Sequence, residues 1–376
     1  MPSVRIHPLV AAAHVHPYPY YAALRNEAPV FFDMEHKIWV VSRADLIMQL
    51  MQSPHCVVRP PKEPVPAAIV GTPAAEIFAR LIRMNEGQAH LPLKQAIQCS
   101  LARLDTACLP QLVKKWRSAE CDLYALCHFV PVAVLADLLG FAPDTRPELM
   151  GWIADFVACL SPLSSEADLA GASVAAQCLL AHFTLLLEGD LAQGSVLANL
   201  VQDSEGADRQ ALLANLIGLL SQSYEATAGL LGNCLIALQQ HGMSNDLPLT
   251  SFVEEVARFD PSVQNTRRFV VQDLEIHGQQ LRKGDAVLLL LAAANRDAAF
   301  NAKGDDFAQG RTDRRSLSFG HGRHSCPGQT LAIKITTAIL SDYLAQEGMA
   351  DPLQWRYQAS ANGRIPRFFS HQEKAI

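Results

Sequence analysis

Phe319-Gly-His-Gly-Arg-His-Ser-Cys-Pro-Gly-Gln-Thr-Leu-Ala332 decides how this chain is read. A single cysteine ends a glycine-rich loop and opens an amphipathic helix that runs from Pro327 to about residue 346. A helix N-terminus carries partial positive charge and unpaired N–H groups, which stabilise a thiolate and lower a cysteine pKa. Gly320 and Gly322 let the backbone turn tightly and pass close to a flat ligand. Pro327 suits the first helical position, where its missing N–H costs little. Two plainer readings stay open on this chemistry: a buried cysteine at a helix start, and a phosphate-binding glycine loop. The second lacks a following Gly-Lys-Ser/Thr and a strand-to-helix G-x-G-x-x-G.

The same segment resembles the cytochrome P-450 signature F-x-x-G-x-[HR]-x-C-x-G, matched at Phe319, Gly322, His324, Cys326 and Gly328. The resemblance implies a haem b cofactor (iron protoporphyrin IX) with Cys326 as the metal ligand, its thiolate pushing electron density toward O–O cleavage. It also implies that Phe319 packs near the sulfur and that His324 reaches a haem propionate.

Other segments resemble the same family. Glu255-Val-Ala-Arg258 is similar to its E-x-x-R pair. Opposite charges three apart face each other on a helix, and the family buries the pair to brace the stretch before the cysteine loop, a structural role. Thr266-Arg-Arg-Phe-Val270 resembles the strand that sends an arginine to a propionate, with Arg268 the expected residue and Arg267 the alternative. Asn295-Arg-Asp297 resembles the turn after the last long strand. His90-Leu-Pro-Leu-Lys94 resembles the H-x-x-x-R motif over the propionates. Its two cationic positions share a helix face, but lysine replaces arginine and loses the bidentate fork.

The longest helix expected begins near Asp208 as N-cap and ends at about His241, with Gly242 as its stop. At ~1.5 Å per residue it spans roughly 50 Å. Ala211 to Leu220 is apolar on most faces, so the helix is central; Ser221-Gln-Ser-Tyr-Glu225 then puts polar residues where burial is costly. Aligned on the family's [AG]-G-x-[DE]-T-[TS], in which acid and threonine manage protons for bound oxygen, this chain reads Gln222-Ser-Tyr-Glu-Ala-Thr227. Glu225 is retained, Ala226 takes the threonine position, and Thr227 follows about 100° further round the helix, so it does not stand in for its neighbour. Some family members that oxidise hydroxylated polyketide-like substrates also have alanine here, and there the substrate's own hydroxyl can help deliver the proton. Gln222, one turn before Ala226, occupies a position that is normally small. Water carrying the protons is the plainer alternative.

The bulk properties agree. The 376 residues are 49% hydrophobic and 18% charged, enough for a large core. A net charge of −6 with no basic stripe argues against nucleic acid as a partner. Nine cysteines, scattered singly, suit neither a disulfide framework nor zinc, and Cys121, Cys127 and His128 read as core packing. No signal peptide and no uninterrupted apolar run of ~18 residues is evident, so a soluble, cytoplasmic protein off the membrane is expected.

β-rich runs fall at about 28–42 and 266–292, with a helix over 44–52 between them. From about 75 to 245 the pattern is helical, with breaks at Pro110, Pro143, Pro162 and Gly189. The expected fold class is mainly α with a small β-rich lobe, one cytochrome P-450 domain over 1–376, with haem between the long central helix and the cysteine-loop helix. The resemblance implies a monomeric monooxygenase acting on a small-molecule substrate, an oxygenated secondary-metabolite intermediate, with electrons from a ferredoxin-type donor and its reductase. The rivals are a peroxide-driven or non-hydroxylating haem-thiolate enzyme (dehydratase, isomerase or ring-coupling catalyst) and a haem-binding sensor.

Overall fold

Branched and aromatic residues on either side of a polar turn pair as the antiparallel strands Val30–Asp33 and Ile38–Val41. In the computed structural model, which describes residues 6–117, 121–141, 146–161, 163–191, 195–204, 206, 208–347 and 352–369, the chain forms two compact units. The first comprises 1–60, 228–326 and 343–376; the second comprises 61–227 and 327–342.

The first unit holds the β structure. Ile38–Val41 runs parallel to Ala286–Leu289, which pairs antiparallel with Thr266–Val270, and Cys56–Val57 closes that edge. The helix Ala44–Gln52 covers the sheet with Leu46, Ile47, Leu50 and Met51. Sequence periodicity placed these strands and that helix closely. It missed the short strands Cys56–Val57 and Gln279–Leu281 and the pair Gln354–Tyr357 with Pro366–Phe369. Two to four residues carry too little alternation to register. The β-rich run expected to reach about residue 292 instead turns at Leu290 into the short buried helix Leu291–Asn295.

The irregular stretch that follows is fixed from one buried ion pair on the helix Leu249–Phe259. Arg258 donates to Glu255 and also to the backbone oxygens of Asn295, Gly304 and Asp306 at 3.1, 2.7 and 2.9 Å. Glu255 accepts from Ala308 N at 2.9 Å and from Arg314 Nε at 3.1 Å. Asn295 continues the support, accepting from Leu317 N and donating to Ser318 Oγ, both at 2.7 Å. Backbone that lacks a regular ladder must find such partners when buried. The expected bracing role of the Glu255–Arg258 pair is therefore what the structure shows.

The second unit is helical. Pro110 lies in the first turn of Leu109–Trp116, and Gly189 ends Glu166–Glu188, as expected of breakers. Pro143 and Pro162 lie outside the described residues. Pro131 sits inside the helix Leu123–Leu138, where a proline removes one backbone donor from the helical ladder. Cys127 and His128 of that helix are buried, consistent with core packing. By length and composition Glu166–Glu188 is apolar enough to cross a membrane. It carries Gln177, His182 and Thr184, and its buried residues include Ala172, Ala175, Leu179 and Phe183.

The helix Arg209–His241 is continuous through 221–225 and passes from the second unit into the first after Thr227. Asp208 caps it, accepting from Gln210 N at 3.0 Å, and Gly242 ends it with a φ of +68°.

Candidate functional site

In the first unit the cysteine loop closes on itself through backbone bonds. Gly320 N donates to Leu317 O at 2.9 Å, Ser325 N to Gly322 O at 3.0 Å, and Cys326 N to Phe319 O at 2.7 Å. Gly320 has a φ of +74°, and a Cβ there would lie 2.9 Å from the His324 oxygen, so only glycine fits. Arg323 ties the loop to the end of Ala44–Gln52, donating to the oxygens of Gln52, Ser53 and Cys56 at 3.1, 2.9 and 2.7 Å. The result is a fixed loop with Cys326 exposed and Phe319 and His324 half-buried. The following helix is Gln329–Glu347, with Ala332 N donating to Gly328 O at 2.9 Å. Gly328 is thus at the cap, and Pro327 precedes the helix rather than filling its first position; the tight turn at 327–328 delays helical geometry by two residues.

On the strand Thr266–Val270 Arg267 is exposed, whereas Arg268 is buried and donates to Arg267 O at 2.8 Å. Strand alternation therefore turns Arg268 inward and leaves Arg267 outside.

In the second unit His90 and Lys94 are both buried, so they are not surface decoration. His90 precedes the helix Leu91–Ala102, and its Nδ1 lies 2.7 Å from Ile82 O. A carbonyl only accepts, so Nδ1 carries the proton, and Nε2 can donate to an anion only in the imidazolium form. His90 is held by the turn Ile82–Met84, itself held by the long helix: Asn215 Oδ1 accepts from Ile82 N, and Asn215 Nδ2 donates to Arg80 O, each at 2.8 Å.

The central-helix residues line up as follows. Thr227 is buried, Ala226 and Gln222 are half-buried, and Glu225 is accessible to solvent. Gln222 folds back over Gly218: a Cβ on Gly218 would lie 2.8 Å from Gln222 Nε2 and 2.8 Å from Leu81 Cδ2. Gln222 makes no hydrogen bond to a described residue. The Glu225 carboxyl is pushed up by desolvation, an effect opposed by the positive charge of Arg83.

His90, Lys94, Gln222, Glu225, Ala226 and Thr227 thus belong to the second unit, while Arg268, Phe319, His324 and Cys326 belong to the first. Sequence reasoning missed Arg83, Asn215 and Arg323. For Asn215 a signal existed: with Gly218, Gln222 and Glu225 it forms one stripe on the helix.

Comparison with known proteins supplies the context. The cytochrome P-450 family profile matches residues 236–346. A putative cytochrome P-450 (133B1) of Xylella fastidiosa is 28% identical, over 92% of this chain and 94% of that protein. The 20-oxo-5-O-mycaminosyltylactone 23-monooxygenase of Streptomyces fradiae is 28% identical, over 83% of this chain and 78% of its own length. Among solved structures, P-450 BioI in complex with acyl carrier protein ligated to hexadec-9Z-enoic acid superposes with a TM-score of 0.80. That match covers 94% of this chain and 97% of the other at 21% identity, a likeness of fold.

Proposed function

The chain belongs to the cytochrome P-450 family and is an oxidoreductase, and from that premise we propose a monooxygenase that acts on a small, oxygenated natural-product intermediate. The observation that carries the reading is the self-closed loop that holds the Cys326 thiol accessible. The donors of the first unit suit a haem: a thiol at the head of a self-closed loop and a buried guanidinium at Arg268. Cys326 would ligate the iron, and Phe319 and Gly328 would shape the loop around the sulfur. Arg268, His324, His90 and Lys94 would supply charge to the propionates of a haem b. When bound, the haem supplies the activation of dioxygen and the transfer of one of its atoms.

The chain's own residues manage substrate and protons. Glu225, its carboxyl pushed up, keeps a proton at higher pH than an ordinary carboxylate would. Ala226 offers no hydroxyl, and Thr227 is turned into buried surroundings. A hydroxyl on the substrate, or water held by Gln222, would complete the proton path. The Streptomyces relative, named for a monooxygenase reaction on a glycosylated lactone, favours a substrate already rich in oxygen. Electrons would come from a ferredoxin-type donor and its reductase, and the protein would act as a soluble, cytoplasmic monomer.

The test is turnover of the holoenzyme with labelled dioxygen across oxygenated polyketide and lactone intermediates, with ferredoxin and reductase supplied. One labelled oxygen per product is expected. Turnover with hydrogen peroxide alone, and none with dioxygen and donors, would replace this reading with a peroxide-driven one; binding without oxidation would leave a sensor.

A further inference from the structure

On the helix Arg209–His241, Asn215, Gly218, Gln222 and Glu225 are spaced so that they share one face as a stripe. Against that stripe lies the segment Arg80–Asn85. Asn215 bonds Ile82 N and Arg80 O, both at 2.8 Å; Leu81 packs at Gly218; Asn85 Nδ2 donates to Ala79 O and Leu81 O, both at 2.8 Å. The backbone beneath Arg83 is therefore anchored from both sides.

Arg83 is accessible, yet it makes no hydrogen bond or ion pair with any described residue. The surrounding protein strips enough water to push its pKa down, and the charge that opposes this is Glu225. Glu225 offsets only part of that loss of water, and an anion that accepts hydrogen bonds from the guanidinium restores more of it. Gln222, whose amide is unbonded over Gly218, adds N–H donors on the same stripe. The cost of taking an anion out of water grows with the square of its charge while its attraction to Arg83 grows only in proportion, so a carboxylate monoanion suits this site better than a phosphate dianion.

We propose that Arg83, assisted by Gln222, is the subsite that binds the carboxylate of an acidic substrate. This rests on the monooxygenase reading and deepens it: the substrate is a carboxylic acid whose head is fixed beside Glu225, leaving the rest of the molecule to be oxidised. Arg83 sets specificity and position and takes no part in bond-making.

The experiment is calorimetric titration of the holoenzyme at neutral pH with medium- and long-chain alkanoic acids, their methyl esters, and alkyl phosphates of equal length. Wild type, Arg83→Met and Arg83→Lys are compared, with haem content and the reduced carbonyl band as controls on folding. Acids are expected to bind about 10- to 100-fold more tightly than esters, the range of a charge-assisted hydrogen bond. Arg83→Met should erase that preference and leave ester affinity in place, while Arg83→Lys should recover part of it. An acid-to-ester ratio unchanged by Arg83→Met, or no acid preference in wild type, overturns the proposal. Phosphates outranking acids through Arg83 overturns the choice of carboxylate. A wild-type protein without the thiolate carbonyl band defeats the monooxygenase reading itself; a normal band without acid preference defeats only the role of Arg83.

Discussion

Arg258 meets Glu255 in a two-pronged bond, Nη2 to Oε1 at 2.7 Å and Nε to Oε2 at 3.0 Å, with both side chains wholly buried. The remaining Arg258 donors hold three backbone oxygens between Asn295 and Asp306, so one side chain anchors the whole approach to the cysteine loop. Removing one member of a buried pair leaves the other charge uncompensated, at a cost of about 3–5 kcal/mol. Arg258→Met should lower the urea stability by that amount and release haem. A loss under about 1 kcal/mol, the value of a surface pair, would show the anchor to be dispensable.

The same pair sets an acid limit. Burial would raise the Glu255 carboxyl, but hydrogen bonds and charge from Arg258, with Ala308 N and Arg314, hold it below its usual range. Its contribution is therefore fully present above the unfolded value of ~4.3 and is lost as pH falls through the lower folded value. Unfolding midpoints measured from neutral to acid pH should fall in that window, and less steeply in Glu255→Gln.

Cys326→Ser should yield a folded protein whose reduced carbonyl complex lacks the red-shifted band of thiolate-bound haem. The loop's closing bonds are made by backbone, Cys326 N to Phe319 O among them, and serine preserves them. Circular dichroism should therefore match wild type, and an unchanged carbonyl band would assign the ligand to another residue.

Much of this was legible in the sequence because it is local. The cysteine loop, the His90–Lys94 and Glu255–Arg258 spacings and the long helix from Asp208 to Gly242 all depend on residues a few positions apart. What stayed hidden depends on distant partners. Nothing around Arg323 announces that it bonds residues 52–56, and nothing around Arg83 announces a helix that lies more than a hundred residues on. Pro327 misled for the opposite reason: local preference allowed it in the first helical turn, while the loop's closure postponed the helix to Gln329.

Asn215 links the long helix to the segment that carries both Arg83 and the carbonyl facing His90. Asn215→Leu keeps the bulk and leaves Ile82 N and Arg80 O without that partner, about 1–3 kcal/mol for each buried group left unsatisfied. Thermal unfolding should register the loss, and binding of alkanoic acids should weaken although Arg83 is still present. Full acid affinity in this variant would mean that Arg83 needs no such anchoring.

Glu225 gives activity a pH dependence of known sign. Desolvation raises its carboxyl and Arg83 opposes the rise, so the protonated form persists above the ordinary carboxylate range and is lost as pH climbs through the raised value. The neighbouring phenol of Tyr224 is itself pushed up and stays neutral throughout. Product formed per reductant consumed, measured with a neutral ester, should fall along that limb. Arg83→Met removes the opposing charge and should move the limb to higher pH; Glu225→Gln should abolish it. A limb unmoved in both variants would place the proton elsewhere.

Gln222 and Ala226 stand one turn apart on the long helix, and the structure gives them unequal surroundings. The Gln222 amide lies back over Gly218 without a hydrogen bond to any described residue. It is therefore not spent on a neighbouring helix and is available to a substrate oxygen or to water. Ala226 is half-buried and brings no hydroxyl, so a threonine there adds a polar group whose partners the rest of the site was not built around. Gln222→Ala should weaken binding of the oxygenated substrate, or divert reducing equivalents to peroxide, whereas Ala226→Thr should not raise the yield of product per reductant. Both quantities are read in one assay, product against reductant consumed, alongside a binding titration. Wild-type values in Gln222→Ala would reduce the glutamine to a space-filler over Gly218. Proton delivery would then fall to Glu225, Thr227 or the substrate's own hydroxyl.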